Sequence, residues 1–165
     1  MGDTPNRTLT ESLRGTYDLA NDTFRVALIS AGTSYTFDPD THEFVSDILD
    51  NGTTAEELSG TAGYTGSSDR KTLQNTTITQ DNTDDEGVWN ADNVKWSGVE
   101  STEDIQGWVV YRQVGGDDTT PGDDDVILVV DDSQSDAPAD LPLPTNGSDI
   151  EIAIDPEGLI NQQVK

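Results

Sequence analysis

The chain has 165 residues, 32% of them apolar, with 33 Asp and Glu against 8 Lys and Arg for a formal net charge of −25. That length fits one domain, and that charge excludes a basic patch and with it nucleic-acid binding by counterion release. The absence of cysteine excludes a disulfide framework, a thiolate metal site and a Cys nucleophile, and no apolar run approaches the ~18 residues of a membrane helix.

Residues 1–16 read as an N-terminal arm or short helix, and residues 17–165 as a single β-sandwich domain. Within "LTESLRG", Thr10 is placed as the N-cap, Leu13 as buried and Gly15 as the stop. "DTFRVALIS" alternates Phe24, Val26 and Leu28 with Arg25, Ala27 and Ile29, which predicts a largely buried strand. Over residues 41–49 a helix is expected, with Asp40 as cap, Glu43 in a capping box, Phe44, Ile48 and Leu49 on one face, and Asn51-Gly52 as its end. The Gly-rich segment after it reads as loop or weak edge strand. "RKTLQNTTITQ" predicts a strand anchored by Leu73 and Ile78, with an irregularity between them.

"GVWNADNVKWSGV" reads as a hairpin turning at Asp92 and Asn93, with Trp89, Ala91, Val94 and Trp96 facing inward. "IQGWVVYRQVG" predicts a strand with Trp108, Val110 and Arg112 on one face. An acidic loop at 115–125 precedes "VILVVDD", an all-apolar run that predicts a central strand. The Pro-rich loop at 136–146 cannot be interior strand, and "DIEIAIDPEGLI" closes with Ile150, Ile152 and Ile154 on one face. Some seven strands with one or two short helices predict a mainly β fold, an antiparallel β-sandwich or small barrel. Its expected core is Phe24, Val26, Leu28, Phe44, Ile48, Trp89, Val94, Trp96, Trp108, Val110, Leu128, Ile152 and Ile154.

The apolar content approaches that of disordered chains, but the apolar residues gather in β-branched runs, with the tryptophans in or beside them. Asp outnumbers Glu, and Lys71, Lys95 and Lys165 are the only lysines. Self-repulsion at this charge opposes compaction in dilute buffer, and molar salt screens it to a Debye length of ~3 Å. The composition therefore points to a high-salt, archaeal cytoplasm.

Chemistry-bearing motifs are weak. His42 is the lone histidine, so neither a zinc site nor a Ser–His–Asp triad is assembled. "DNTDDEG" offers Asp81 and Asp85 as part of an EF-hand-like loop, without its twelfth-position Glu, and "GDDD" offers Asp123 and Asp125. These are weak metal candidates; no cofactor is expected beyond loosely held Na⁺, K⁺, Mg²⁺ or Ca²⁺. No catalytic residues are assigned, and the carboxylates are too numerous for a glycosidase pair to be chosen. Five N-x-[ST] sequons, at Asn6, Asn21, Asn51, Asn75 and Asn146, are chance products of an Asn- and Thr-rich chain.

The order of segments carries one resemblance. "DTFRVAL", "DTHEFVSDI", "VWNADNVKW" and "IEIAIDPEGLI", over about residues 17–160, resemble small virion proteins of tailed bacteriophages and haloarchaeal tailed viruses. His42, Phe44, Ser46, Asp47 and Ile48 fall on that family's helix motif. Trp89, Ala91, Asp92, Val94 and Trp96 fall on its hairpin, and Ile152, Gly158 and Leu159 on its closing strand, where Asp155 departs from the pattern. The resemblance implies a non-enzymatic virion structural protein, made in the host cytoplasm. The first reading is a decoration or cement protein on the outer head surface. Its partners would be the major capsid protein or a neighbouring virion protein and its own copies, as a trimer or pentamer, with no nucleic acid and no membrane. The alternative is a vertex-turret or tail-associated protein that binds host surface glycans. A cement protein keeps its aromatics in the core and its apolar surface at a subunit edge; a glycan binder displays aromatics on loops.

Overall fold

The computed structural model describes residues 2–31, 35–49, 57–135 and 137–163, the last three without their side chains. The fold is mainly β. Among the described residues, nine antiparallel strands are β1 (Phe24–Ser30), β2 (Lys71–Thr72), β3 (Thr77–Asp81), β4 (Glu86–Asn90), β5 (Val94–Glu100), β6 (Ile105–Arg112), β7 (Asp125–Asp131), β8 (Asn146–Ile152) and β9 (Ile160–Gln163). Two short helices accompany them, α1 (Asn6–Arg14) and α2 (Val45–Leu49). The strands form three open sheets, ordered β2-β1-β6-β7, β3-β4-β9 and β5-β8. None closes into a barrel.

The four-stranded sheet is the middle of the molecule because both of its faces are apolar. Phe24, Val26, Leu28 and Val110 point to one side and pack with Trp89, Val94, Trp96, Ile150 and Ile152 from the other two sheets. Ala27, Ile29, Val109 and Tyr111 point to the other side, where Val45, Ile48 and Leu49 of α2 cover them with Tyr35 and Phe37. Period-two alternation thus feeds two cores from one set of strands. A register shift between Val110 and Tyr111 leaves Ile127 unpaired, and both Ile127 and Leu128 join the first core. That is the work of a β-bulge: two residues oppose one.

Of the thirteen expected core residues, ten are buried, while Phe44, Trp108 and Ile154 are half-buried. Both indoles of the 81–100 stretch are buried, and each N–H finds a carbonyl: Trp89 donates to Leu19 at 3.0 Å and Trp96 to Asp69 at 2.7 Å. Trp89 stands edge-on to Phe24, and Trp96 edge-on to Tyr64.

Several expectations are corrected. Trp89 and Trp96 do not lie on one hairpin, since β4 pairs with β3 and β9 whereas β5 pairs with β8. Residues 91–93 are a corner between sheets, held by Asp92 N–H on Gln74 O and Ile154 N–H on Asn93 Oδ1. The hairpin turn lies earlier, at residues 82–85, with Asp85 left-handed at φ 56°. "RKTLQNTTITQ" is split in two: Asn75 at φ 53° takes the chain from β2 in one sheet to β3 in another. Leu73 is buried, but Ile78 is 57% exposed, because β3 is an edge strand. β7 is likewise terminal in its sheet, not central; its edge is sealed by bridges from Asp3 to Val129 and Phe44 to Asp125.

The helices also start elsewhere. α1 begins at Asn6 after Pro5, so Thr10 is interior and Leu13 is 90% exposed. The buried face is that of Thr8, whose hydroxyl donates to Val126 O. Gly15 does end α1, at φ 72°, with Gly15 N–H on Ser12 O and Thr16 N–H on Glu11 O. α2 begins at Val45 and not at 41, because Asp47, not Asp40, caps it: Asp47 Oδ2 accepts the N–H of Phe44 at 2.8 Å and of Glu43 at 3.1 Å. Its expected stop at Asn51-Gly52 lies outside the described residues. At the closing strand, Gly158 at φ 86° lets Leu159 N–H reach Trp89 O at 2.8 Å; a Cβ there would stand 2.5 Å from that oxygen.

Truncating Phe24 removes a fully buried ring between the sheets. Phe24→Ala is expected to lower unfolding stability by about 3–5 kcal/mol in urea titrations at molar KCl, whereas Leu13→Ser at the exposed position changes it by less than about 0.5 kcal/mol.

Candidate functional site

Ionic chemistry is concentrated at one end of the four-stranded sheet. Register sets Phe24, Arg112 and Asp125 in one row across β1, β6 and β7, with Arg25 and Tyr111 in the next. Asp125 is buried and accepts from Arg7 at 2.9 Å and from Arg112 at 3.3 Å; Arg112 also reaches Asp22 at 2.8 Å. Beside it, Arg70 holds Glu57 in a bidentate pair at 2.8 and 2.7 Å. The Tyr111 hydroxyl donates to Asp118 at 2.7 Å while accepting from Arg70 at 3.3 Å, and Arg25 and Gln113 also donate to Asp118. Burial by itself lowers the pKa of Arg70, but the Glu57 hydrogen bonds and charge outweigh it, so the guanidinium is held more firmly protonated than usual. Burial raises Tyr111, which keeps its hydroxyl a donor.

This network uses the acidic loop as a structural part. Asp118, Asp124 and Asp125 turn inward from it, and Asp124, fully buried, accepts Val114 N–H at 2.7 Å. Burial raises the Asp124 pKa. Sequence reasoning missed Glu57, Arg70 and Asp118 as a unit. A signal was present: arginines outnumber lysines in a chain starved of cations, and Arg25 and Arg112 sit within apolar strands.

The weak metal candidates are not brought together. Asp81 accepts the N–H groups of Thr83 at 2.7 Å and Asp84 at 3.3 Å, which hold its pKa below the ordinary value and make it a turn residue. Asp85 is exposed in the same turn. Asp123 is exposed, and Asp125 is claimed by two arginines. Among the described residues, no three His, Asp or Glu side chains converge as metal ligands. His42 has a local role: its Nδ1 accepts Asp38 N–H at 2.9 Å, and its ring packs by Tyr35 and Phe37. Burial lowers its pKa.

What remains on the surface is apolar and localised. A groove of about 260 Å³ runs between α1 and the β3-β4-β9 sheet, lined by Ser12, Tyr17, Leu19, Ile78, Trp89 and Ile160, among others. Ile78, Trp89 and Ile160 lie in one row across the three strands. The exposed large apolar side chains of the described residues are Leu9, Leu13 and Ile78. Of these, Ile78 lines the groove, while Leu9 and Leu13 lie on α1, which contributes Ser12 to it. A second groove, about 200 Å³, opens beside Trp108, Val130, Pro138 and Ile154.

No family model matches the chain, and neither curated proteins nor solved structures match it.

Two measurements check the ionic network. Arg70→Met leaves Glu57 without its cation and is expected to cost about 3–5 kcal/mol in urea unfolding, while Lys95→Met, which breaks the half-exposed 3.0 Å pair with Asp149, costs less than about 1 kcal/mol. Asp124 gives a pH signature. Its carboxyl pKa is higher in the folded state, so its contribution is present below the unfolded value and lost as pH rises through the folded one. Asp124→Asn is therefore expected to be more stable than the parent at neutral pH, with the gap closing as pH falls toward the ordinary aspartate value of 3.8.

Proposed function

We propose that this chain is a non-enzymatic structural component of a halophilic tailed virus, a capsid decoration protein on the outer head surface. The observation that carries this reading is the disposition of its aromatic rings. All three tryptophans, four tyrosines and three phenylalanines are buried or half-buried, and the edge strand β3 carries an exposed apolar side chain, Ile78, beside an apolar groove. A protein that works by lattice contact is built this way. A turret or tail protein that binds host glycans needs an exposed aromatic platform, and the described residues present none.

Charge supports the outer face. A −25 protein is repelled by packaged DNA and gains from a hydrated, brine-facing surface. The arginines lie in ion pairs within the fold, so the partner surface, on the major capsid protein or a neighbouring virion protein, is met through acids or through the apolar edge. The cations the reading calls for are those that gather loosely around such a surface.

Imaging of the purified virion tests this directly. Density for the chain is expected on the outside of the head; density within the shell, or a virion without the chain, overturns the reading. The halophilic part is tested by melting: the midpoint is expected to rise steeply between about 0.1 and about 2 M KCl as the Debye length shrinks from ~10 Å toward ~3 Å. A midpoint insensitive to salt removes the halophilic premise.

A further inference from the structure

The sheet edges of this molecule are treated unequally. The β7 edge is sealed by Asp3 and Phe44, and β5 receives Ala62 at Glu100. The β8 edge is open but carries Asp149 and Glu151, both exposed. β3 differs from these. It ends the β3-β4-β9 sheet, Thr77, Ile78, Thr79 and Gln80 are all exposed, and no backbone partner other than β4 is present among the described residues. Residues 72–80 carry no charge at all. The usual protections of an edge strand, a lysine, a proline or an inward charge, are missing. Ile78, 57% exposed, stands on this strand and lines the groove beside α1.

From this we infer that β3 is a self-association edge: two copies of the chain join by antiparallel pairing of β3 with β3 across a two-fold axis, giving a continuous six-stranded sheet. Charge selects the occupant. A basic partner gains more anywhere else on this acidic surface, so electrostatics does not bring one to an uncharged edge. An acidic partner is repelled almost everywhere else, and here it is not. The acidic partner present at matching concentration is the chain itself. Charge also selects the direction. Parallel pairing in register would set Asp81 beside its own copy. Antiparallel pairing about Ile78 or Thr79 places the two Asp81 residues at opposite ends, at least about 13 Å apart along the strands at ~3.4 Å per residue.

The pleat constrains the axis further. A two-fold axis normal to a sheet keeps each side chain on its own face, and directly opposed residues share a face. One residue must therefore oppose its own copy, with Cα atoms about 4.5–5.5 Å apart, which is inside the range a disulfide spans. Its neighbours meet their own copies only at greater separation.

A two-fold pair is a different assembly from the trimer or pentamer that the resemblance implies, and it stands or falls without the virion reading. The test uses the full chain in molar KCl. Sedimentation equilibrium is expected to show reversible dimers, with Ile78→Lys raising the dissociation constant at least about tenfold, because the two like charges then stand directly opposite (axis at Ile78) or diagonally adjacent (axis at Thr79) across the pair. Unchanged circular dichroism and melting midpoint of Ile78→Lys establish that the exposed substitution leaves the fold intact. The chain has no cysteine, so single-cysteine variants Thr77→Cys, Ile78→Cys, Thr79→Cys and Gln80→Cys can be oxidised one by one. Crosslinking is expected to peak at Ile78→Cys or Thr79→Cys and to fall on either side, with little at Ser148→Cys on β8. A monomer at all concentrations overturns the inference. So does a dimer that Ile78→Lys leaves unweakened, or one that crosslinks best through Ser148→Cys or through Gln162→Cys on β9.

Discussion

The fold depends on how a chain with eight cations and 33 acids uses its arginines. Four of the five, Arg7, Arg25, Arg70 and Arg112, meet carboxylates at the same end of the four-stranded sheet. They tie together parts of the chain that are far apart in sequence: α1 to β7, β1 to the acidic loop, and the segment before β2 to Glu57. Lysine does not replace them easily. Arg70 makes two parallel hydrogen bonds to Glu57, a fork that an ammonium cannot present, while its guanidinium lies over the Tyr111 ring at 5.5 Å. Arg7 and Arg112 lie over Phe44 and Tyr17 in the same manner.

The surface follows from that choice. Four arginines drawn into the fold leave few cations for the surface, Arg14, Lys71 and Lys95 among the described residues, so the exposed shell is mainly Asp, Glu, Thr and Ser. Many exposed acids serve the backbone locally: Asp18, Asp81, Asp117 and Asp155 each accept N–H groups two or three residues on, closing turns. Short acidic side chains thus do two things here, shaping loops and hydrating the surface. This accounts for an Asp excess over Glu, whose longer side chain closes such turns less well. The repulsion this creates is relieved by salt, whereas the buried pairs are screened little. High salt therefore lowers the cost of the shell while leaving the ionic end intact.

What the sequence made legible was local or periodic. The two-sided burial of β1 could be read from its apolar run, and the burial of Trp89, Trp96 and Val110 from alternation. Gly15 ended its helix as expected. What failed was non-local. Nothing within "VWNADNVKW" says that its two strands part into different sheets, since tight turns and sheet corners both use Asp and Asn. Trp89 is drawn to Phe24 and Trp96 to Tyr64, and those partners decide the parting. The apolar run of β7 suggested a central strand because a strand buried on both faces reads the same whether its edge is paired or sealed. The seal, Asp3 and Phe44, is distant in sequence. Ile78 was misplaced for a related reason: apolarity marks a strand, but only topology says whether that strand is an edge.

The same topology links the ionic end to the open edge. Asn75, in a left-handed conformation, takes the chain out of the arginine-tied sheet just after Leu73 is fastened to Phe24 O at 2.8 Å. β3 therefore begins in a segment that the network has already anchored, and it needs no charges of its own to be placed. Its position comes from β4, whose Trp89 is locked between Phe24 and Leu19. An edge held from behind in this way can stay uncharged and exposed without losing register. In a chain where nearly every other surface segment carries acids, that freedom leaves Ile78 exposed on a strand whose residues 77–80 bear no charge.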